Sequence, residues 1–142
     1  MVSTGAGQTI LGIDYGERNI GLAFGRAGLV SPIKTISGKN IQVAMNEISL
    51  TVLNNKVDKI IIGLPLDLNG KETFKSLKVR RFANLLKGRV KKPIEFVNEY
   101  NTTFESLRES INLNYSKKSR KNLDHISAAV IARKYFESAN ED

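Results

Sequence analysis

Apolar residues change their period partway along this chain, and that change limits the folds open to it. Between Thr9 and Ile36 they alternate through three short runs: Thr9 to Asp14, Asn19 to Arg26 and Val30 to Ile36. The runs are separated by turns that contain glycine, as in an antiparallel meander. After Asn40 the spacing becomes helical, with Ile41, Ala44, Met45, Ile48 and Val52 on one face of a helix ending near Asn54. Ile60, Ile61 and Ile62 then follow one another without a polar break, which suits a strand covered on both faces of a parallel sheet.

The alternation of helix and strand continues from there. A second helix is expected from about Thr73 to Lys87, with Ser76, Val79, Phe82, Ala83 and Leu86 facing the core. Phe74 and Leu77 fall off that face; they form a partner surface, or else the helix starts later. A fifth strand runs from Pro93 to Asn98. Thr102 and Glu105 have capping-box spacing and open a third helix. The stretch 114–122 is polar and basic, and a last helix begins near Asp124. The order β-β-β-α-β-α-β-α-α gives an α/β fold, a mixed five-stranded sheet of three antiparallel strands and then parallel ones, with helices on both faces. This is the order of the RNase H-like fold. A single domain is expected over residues 9–138, with 1–8 a disordered segment and 139–142 a tail.

Composition removes several kinds of chemistry. The chain has no cysteine and one histidine, His125, so thiolate sites, disulfides, cysteine nucleophiles and multi-histidine zinc sites are excluded. Neither a signal-peptide pattern nor an apolar run long enough for a membrane is present, so a cytoplasmic protein without a membrane partner is expected. The net charge of +8 is concentrated: Lys71 to Lys121 holds fourteen Lys/Arg against five Asp/Glu, a surplus of nine, so the remainder is close to neutral. Such a field attracts a polyanion by counterion release, nucleic acid above all, although a basic surface can also serve solubility alone.

Within this basic chain three carboxylates occupy chosen places. Asp14 ends the first strand, Glu99 follows the fifth, and Asp124 opens the last helix. Ligands of open α/β sheets bind beyond the carboxyl ends of the strands. Three carboxylates there would suit a hard cation with oxygen ligands, Mg²⁺ or Mn²⁺, and a pair of such ions can promote phosphodiester hydrolysis. Each residue also has a plainer role: Asp14 as a turn former before Tyr15-Gly16, Asp124 as a helix cap, Glu99 as an exposed strand end. Arg18, Lys78, Arg81 and the cluster Lys117, Lys118, Arg120 and Lys121 are candidate nucleic-acid contacts; a basic run can also be only a solvated loop. Tyr115 could stack on a base or pack on the third helix. His125 could move protons, but a histidine at a helix start is more often structural.

Several motifs resemble those of one family. They are Leu11-Gly12-Ile13-Asp14-Tyr15-Gly16 with Ile20-Gly21-Leu22-Ala23; Ile62-Gly63-Leu64-Pro65-Leu66 with Gly70; Val79-Arg80-Arg81-Phe82-Ala83; Glu99 with Thr102-Thr103; and Asp124 with Ser127-Ala128. In this order, across nearly the whole chain, they resemble the YqgF family of pre-16S rRNA nucleases and Holliday junction resolvase-like proteins. The resemblance implies that Asp14, Glu99 and Asp124 form the catalytic, metal-binding set. It also shows departures: Asn98 where the family usually has aspartate, Tyr100 where it has arginine, and Asn19 in place of a common basic residue. Losing that arginine removes a bidentate phosphate donor, a loss that Arg18 or the 117–121 cluster could offset.

The expectation is a metal-dependent nuclease acting on structured nucleic acid, by resemblance at the 5′ end of pre-16S rRNA. Resolution of four-way DNA junctions, which calls for a homodimer rather than a monomer, is the second role. Two rivals belong to other classes. An actin-like phosphotransferase shares the Asp-x-Gly opening but needs two such domains, and a non-catalytic binding module would have no use for the carboxylate set.

Overall fold

In the computed structural model, residues 7–99 and 124–140 are described. The third helix expected from Thr102, together with Tyr100, Tyr115 and the Lys117, Lys118, Arg120 and Lys121 cluster, lies outside them. The strands are β1 (Thr9–Tyr15), β2 (Asn19–Arg26), β3 (Leu29–Ser37), β4 (Lys59–Leu64) and β5 (Ile94–Asn98), and the helices are α1 (Ile41–Asn54), α2 (Phe74–Val90) and α3 (Asp124–Asn140). One five-stranded sheet has the order β3-β2-β1-β4-β5. β1–β2 and β2–β3 pair antiparallel, and β1–β4 and β4–β5 pair parallel, so the expected mixed sheet is present.

Local chemistry sets the joints. Ala27 and Gly28 both have positive φ, 53° and 82°, in the two-residue turn that pairs Arg26 with Leu29. Two left-handed central residues match the twist of a tight hairpin. The β2–β3 register shifts between Leu22 and Ala23, opposite Pro32 and Lys34. Proline, with no N–H to give to a ladder, is tolerated there because β3 is an edge strand. Asn40 caps α1 by accepting from the backbone N–H groups of Gln42 and Val43. Thr73 and Ser76 form a reciprocal capping box on α2.

Most element ends fall within a residue of expectation, but two helices run further. α2 continues past Lys87 to Val90, which packs against the core, and Lys91 closes it with a left-handed φ of 52°. The interior Gly88 lowers helix propensity without stopping the helix, because tertiary packing outweighs that cost. α3 reaches Asn140, two residues past the expected domain boundary.

The sheet divides two unlike layers. On one side α1 and α2 cover Leu11, Ile13, Ile20, Leu22, Ile60 and Ile62, closing over them with Met45, Ile48, Phe82 and Leu86. On the other side α3 lies across the strands, where Ile10, Ile61 and Val97 meet Ile131 and Ala132, and Ala23 meets Ala128 and Ala129. The run Ile60-Ile61-Ile62 is thus buried on both faces, as the unbroken apolar stretch requires. No described helix is long and apolar enough to cross a membrane.

Candidate active site

Side chains on a strand alternate between faces. Ile10 of β1 points to the α3 layer, so Gly12 and Asp14 do as well. In β5, Val97 points to the same layer, and Glu99 continues its parity just beyond the strand. The Glu99 N–H donates to Leu64 O at 3.0 Å, extending the β4–β5 pairing by one residue and fixing where its side chain starts. Asp124 is the first residue of α3, on that same layer. The three carboxylates therefore come from two strand ends and one helix start but share one face and one edge of the sheet.

Glycines make this convergence possible. Gly21 pairs with Asp14 across β1–β2, and a Cβ at Gly21 would overlap the backbone oxygen of Asp124. A Cβ at Gly63 would overlap Glu99 Oε1 and stand 2.6 Å from Ile131 Cδ1. At Gly12 it would stand 2.7 Å from Ala128 O. The bare backbone on this face lets α3 approach closely and seats the Glu99 carboxylate over β4.

Asp14, Glu99 and Asp124 line one cleft of about 270 Å³ with Tyr15, Gly16, Glu17, Pro65, Lys75, Lys78 and Val79. Its donors are carboxylate oxygens, without nitrogen or sulfur ligands, the chemistry a hard divalent cation takes. Among the described residues no three His, Cys, Asp or Glu side chains are gathered tightly enough to form a ligand cluster, so the carboxylates line the cleft without forming a closed cage.

The opposite wall comes from α2. Thr73 Oγ1 donates to Pro65 O at 2.7 Å while accepting from Ser76 N, hanging the start of α2 on the loop after β4. This places Lys75 and Lys78 at the rim. Lys78 Nζ lies 2.5 Å from Glu17 Oε1, and this bond holds the Glu17 carboxyl below its ordinary range. Tyr15 stacks on Phe82 with ring centroids 4.4 Å apart. Burial pushes the Tyr15 hydroxyl up and Glu17 adds to the rise, against the opposing charges of Lys78 and Arg81.

The expected nucleic-acid contacts separate. Lys78 lines the cleft; Arg81 lines a neighbouring groove that shares Tyr15, Glu17 and Lys78 with it. Arg18 is exposed in the β1–β2 turn and lines neither. His125 is structural in its contacts: its backbone N–H donates to Thr35 Oγ1 at 3.3 Å, and its ring Nδ1 lies 3.1 Å from the same hydroxyl. Thr35 thereby ties the start of α3 to β3. Phe74 is 86% exposed and Leu77 54% exposed, although the helix does begin at Phe74, so both form surface.

The chain matches known proteins in sequence and in fold. A family model described as RuvX, Holliday junction resolvase, matches residues 8–138. A relative from Alcanivorax borkumensis, named "Putative pre-16S rRNA nuclease", is 32% identical over 89% of this chain and 94% of its own length. One of the same name from Aliivibrio salmonicida is 33% identical over 92% and 96%. Among solved structures, RuvC of T. thermophilus in complex with a Holliday junction substrate superposes with a TM-score of 0.64 at 10% identity, covering 94% of this chain and 96% of that one. The Fowlpox virus resolvase with junction DNA gives 0.58 at 16% identity, covering 92% and 98%. At such identities these structures establish a shared fold, the RuvC-like form of the RNase H-like architecture.

Proposed function

The chain is a nuclease of the RuvX family, and we propose that it hydrolyses phosphodiester bonds in structured nucleic acid with divalent cations, Mg²⁺ or Mn²⁺, held by Asp14, Glu99 and Asp124. The observation that carries this is the convergence of the three carboxylates on one cleft at the carboxyl edge of the parallel strands. The glycine-cleared seat over Gly63 supports Glu99 as a member of the set. When bound, the cations supply Lewis-acid stabilisation of the developing negative oxygens and activate the attacking water.

The chain's own residues do the remaining work. Lys75 and Lys78 at the rim attract the phosphate backbone and bring it over the carboxylates. Tyr15, fixed by its stack on Phe82, forms a rigid wall beside them. The relatives' name favours pre-16S rRNA as the substrate; cleavage at its 5′ end, in the cytoplasm, is the role that the resemblance of the motif series implies. The family description favours a second role, junction resolution; cutting two strands symmetrically calls for a homodimer, for which the exposed Phe74 and Leu77 on α2 offer apolar surface.

Asp14→Asn tests the carboxylate assignment, since it keeps the shape and removes one charge. Cleavage should fall by at least about a hundredfold with the circular dichroism spectrum unchanged. Undiminished cleavage by the pure variant would remove Asp14 from the site. Comparing a pre-16S 5′ leader with a four-way junction, each with Mg²⁺, Mn²⁺ or EDTA, separates the two roles. Paired symmetric nicks in the junction from a stable dimer, with the leader left intact, would favour resolution.

A further inference from the structure

We propose that the groove beside the cleft is a second anion-binding subsite, which takes the sugar–phosphate backbone of the strand leading into the cleft, and that Glu17 occupies the phosphate position until the strand arrives. The inference rests on the nuclease reading and extends its substrate path.

The groove, about 320 Å³, is lined by Lys39 from the β3–α1 connection, by Lys78 and Arg81 from α2, and by Tyr15 and Glu17. Tyr15, Glu17 and Lys78 also line the cleft, so the two hollows are continuous. Three cations face a single carboxylate, Glu17, which sits 2.5 Å from Lys78 in the part common to both. Among the described residues, Lys39 and Arg81 take no carboxylate partner. The groove thus has more positive charge than its own carboxylate can meet, arranged around one exchangeable anion.

Its walls are preformed. Gly38 N–H donates to Arg18 O at 2.9 Å, locking the β1–β2 turn against the connection that carries Lys39. The approach is close: a Cβ at Gly38 would stand 2.7 Å from Gly16 O. The Tyr15–Phe82 stack stiffens the floor. A phosphodiester entering here displaces the Glu17 carboxylate from Lys78 and meets Arg81 as a planar donor and Lys39 as a point charge. Nothing covalent changes; one ion pair is exchanged for another.

The test measures binding of a 5′-labelled RNA duplex with a single-stranded 5′ leader, in EDTA, over a range of salt concentrations. Lys39→Ala with Arg81→Ala should weaken binding about tenfold or more and lower the log–log salt slope by roughly 0.7–0.9 for each phosphate no longer neutralised. Glu17→Gln, which frees Lys78, should tighten binding. Lys56→Ala with Lys92→Ala serves as the control, because both line a hollow at the other end of the parallel strands and should leave the slope unchanged. Equal losses from both pairs would mean a diffuse field and would overturn the subsite, and unchanged or weaker binding by Glu17→Gln would overturn its role. Because EDTA separates binding from chemistry, the two readings fail separately. A protein that binds in this pattern but never cleaves with metal loses only the nuclease reading. One that cleaves normally while the Lys39/Arg81 variant binds like wild type loses only the groove.

Discussion

The two layers that cover the sheet are built from different materials and have different tasks. The α1/α2 layer is thick, with Leu, Ile, Met and Phe interlocking over the strands. The α3 layer is thin: the backbone of α3 meets Gly12 and Gly21 directly, its Phe136 and Ile131 side chains press on Gly25 and Gly63, and Ala23 packs on Ala128 and Ala129. Burying large apolar side chains is the main source of stability, so the thick layer should hold most of it. The thin layer gives up side-chain burial and gains proximity. All three carboxylates are on the thin side, because only close approach brings the first residue of α3 to the strand ends. In this molecule the bulk of the stability and the carboxylate set are assigned to opposite faces of one sheet, and the thick layer adds only the lysines at the cleft's rim and the Tyr15 wall.

Substitutions on each face can break that division. The largest stability effect is expected in the thick layer. Ile48 is fully buried on α1, far in sequence and element from the carboxylates. Ile48→Ala should cost about 2–5 kcal/mol in denaturant unfolding by leaving a cavity. Below its melting temperature, the kcat for cleavage should match wild type. A kcat that fell in step with stability would show that the faces are coupled.

A smaller stability loss with a larger functional one is expected from the thin layer. The added methyl of Gly21→Ala would overlap the Asp124 backbone oxygen, and the neighbouring His125 N would be 2.7 Å away. Overpacking of this kind costs about 1–3 kcal/mol. Relief requires α3 to back away and take Asp124 with it, so cleavage should drop at least about tenfold even where the protein is fully folded. Wild-type cleavage by folded Gly21→Ala protein would show that the close approach is not needed for the chemistry.

Much of this arrangement was legible in the sequence. The change of hydrophobic period gave the order of the described elements. The unbroken Ile60-Ile61-Ile62 run gave the doubly covered strand, and the motif series from Leu11 to Ala128 pointed to the family that the comparison with known proteins then supplied. Asp14, Glu99 and Asp124 stood out as acidic groups at element ends in a basic chain, and the structure puts them in one cleft. The glycine stripe was visible only as scattered residues, since its meaning depends on which face meets α3. Lys75 went unremarked because nothing in one dimension shows that Thr73 hangs α2 from Pro65 and so delivers Lys75 to the rim. Glu17 escaped notice for a similar reason: its partner Lys78 is 61 positions away. The expected end of α2 near Lys87 falls three residues short, because the packing of Val90 against the core carries the helix through Gly88.

The smallest expected effect sharpens the contrast from the solvent side. α2, in the thick layer, is supported at its start by an exposed ion pair, whereas the start of α3 is tied to β3 through the Thr35 hydroxyl. Arg80 Nε and Nη2 donate to the two carboxylate oxygens of Glu72 at 2.8 and 2.9 Å, Ser76 Oγ donates to Glu72 Oε1, and the guanidinium lies 5.2 Å from the Phe96 ring centroid. The Arg80 bond is the main reason the Glu72 carboxyl is held below its ordinary value of 4.5, with Ser76 adding to it and desolvation opposing. A carboxyl whose folded pKa is depressed stabilises the fold when ionised. Its contribution is complete above the unfolded value and disappears as pH falls through the folded one. The wild-type protein should therefore melt slightly higher than Glu72→Gln at pH 7, and the gap should close as pH drops below 4.5. The pair is exposed, so water and salt screen it, and added salt should narrow the pH 7 gap as well. A gap that persists at low pH and high salt would mean that Glu72 supports α2 through the Ser76 hydrogen bond and packing, and not through its charge.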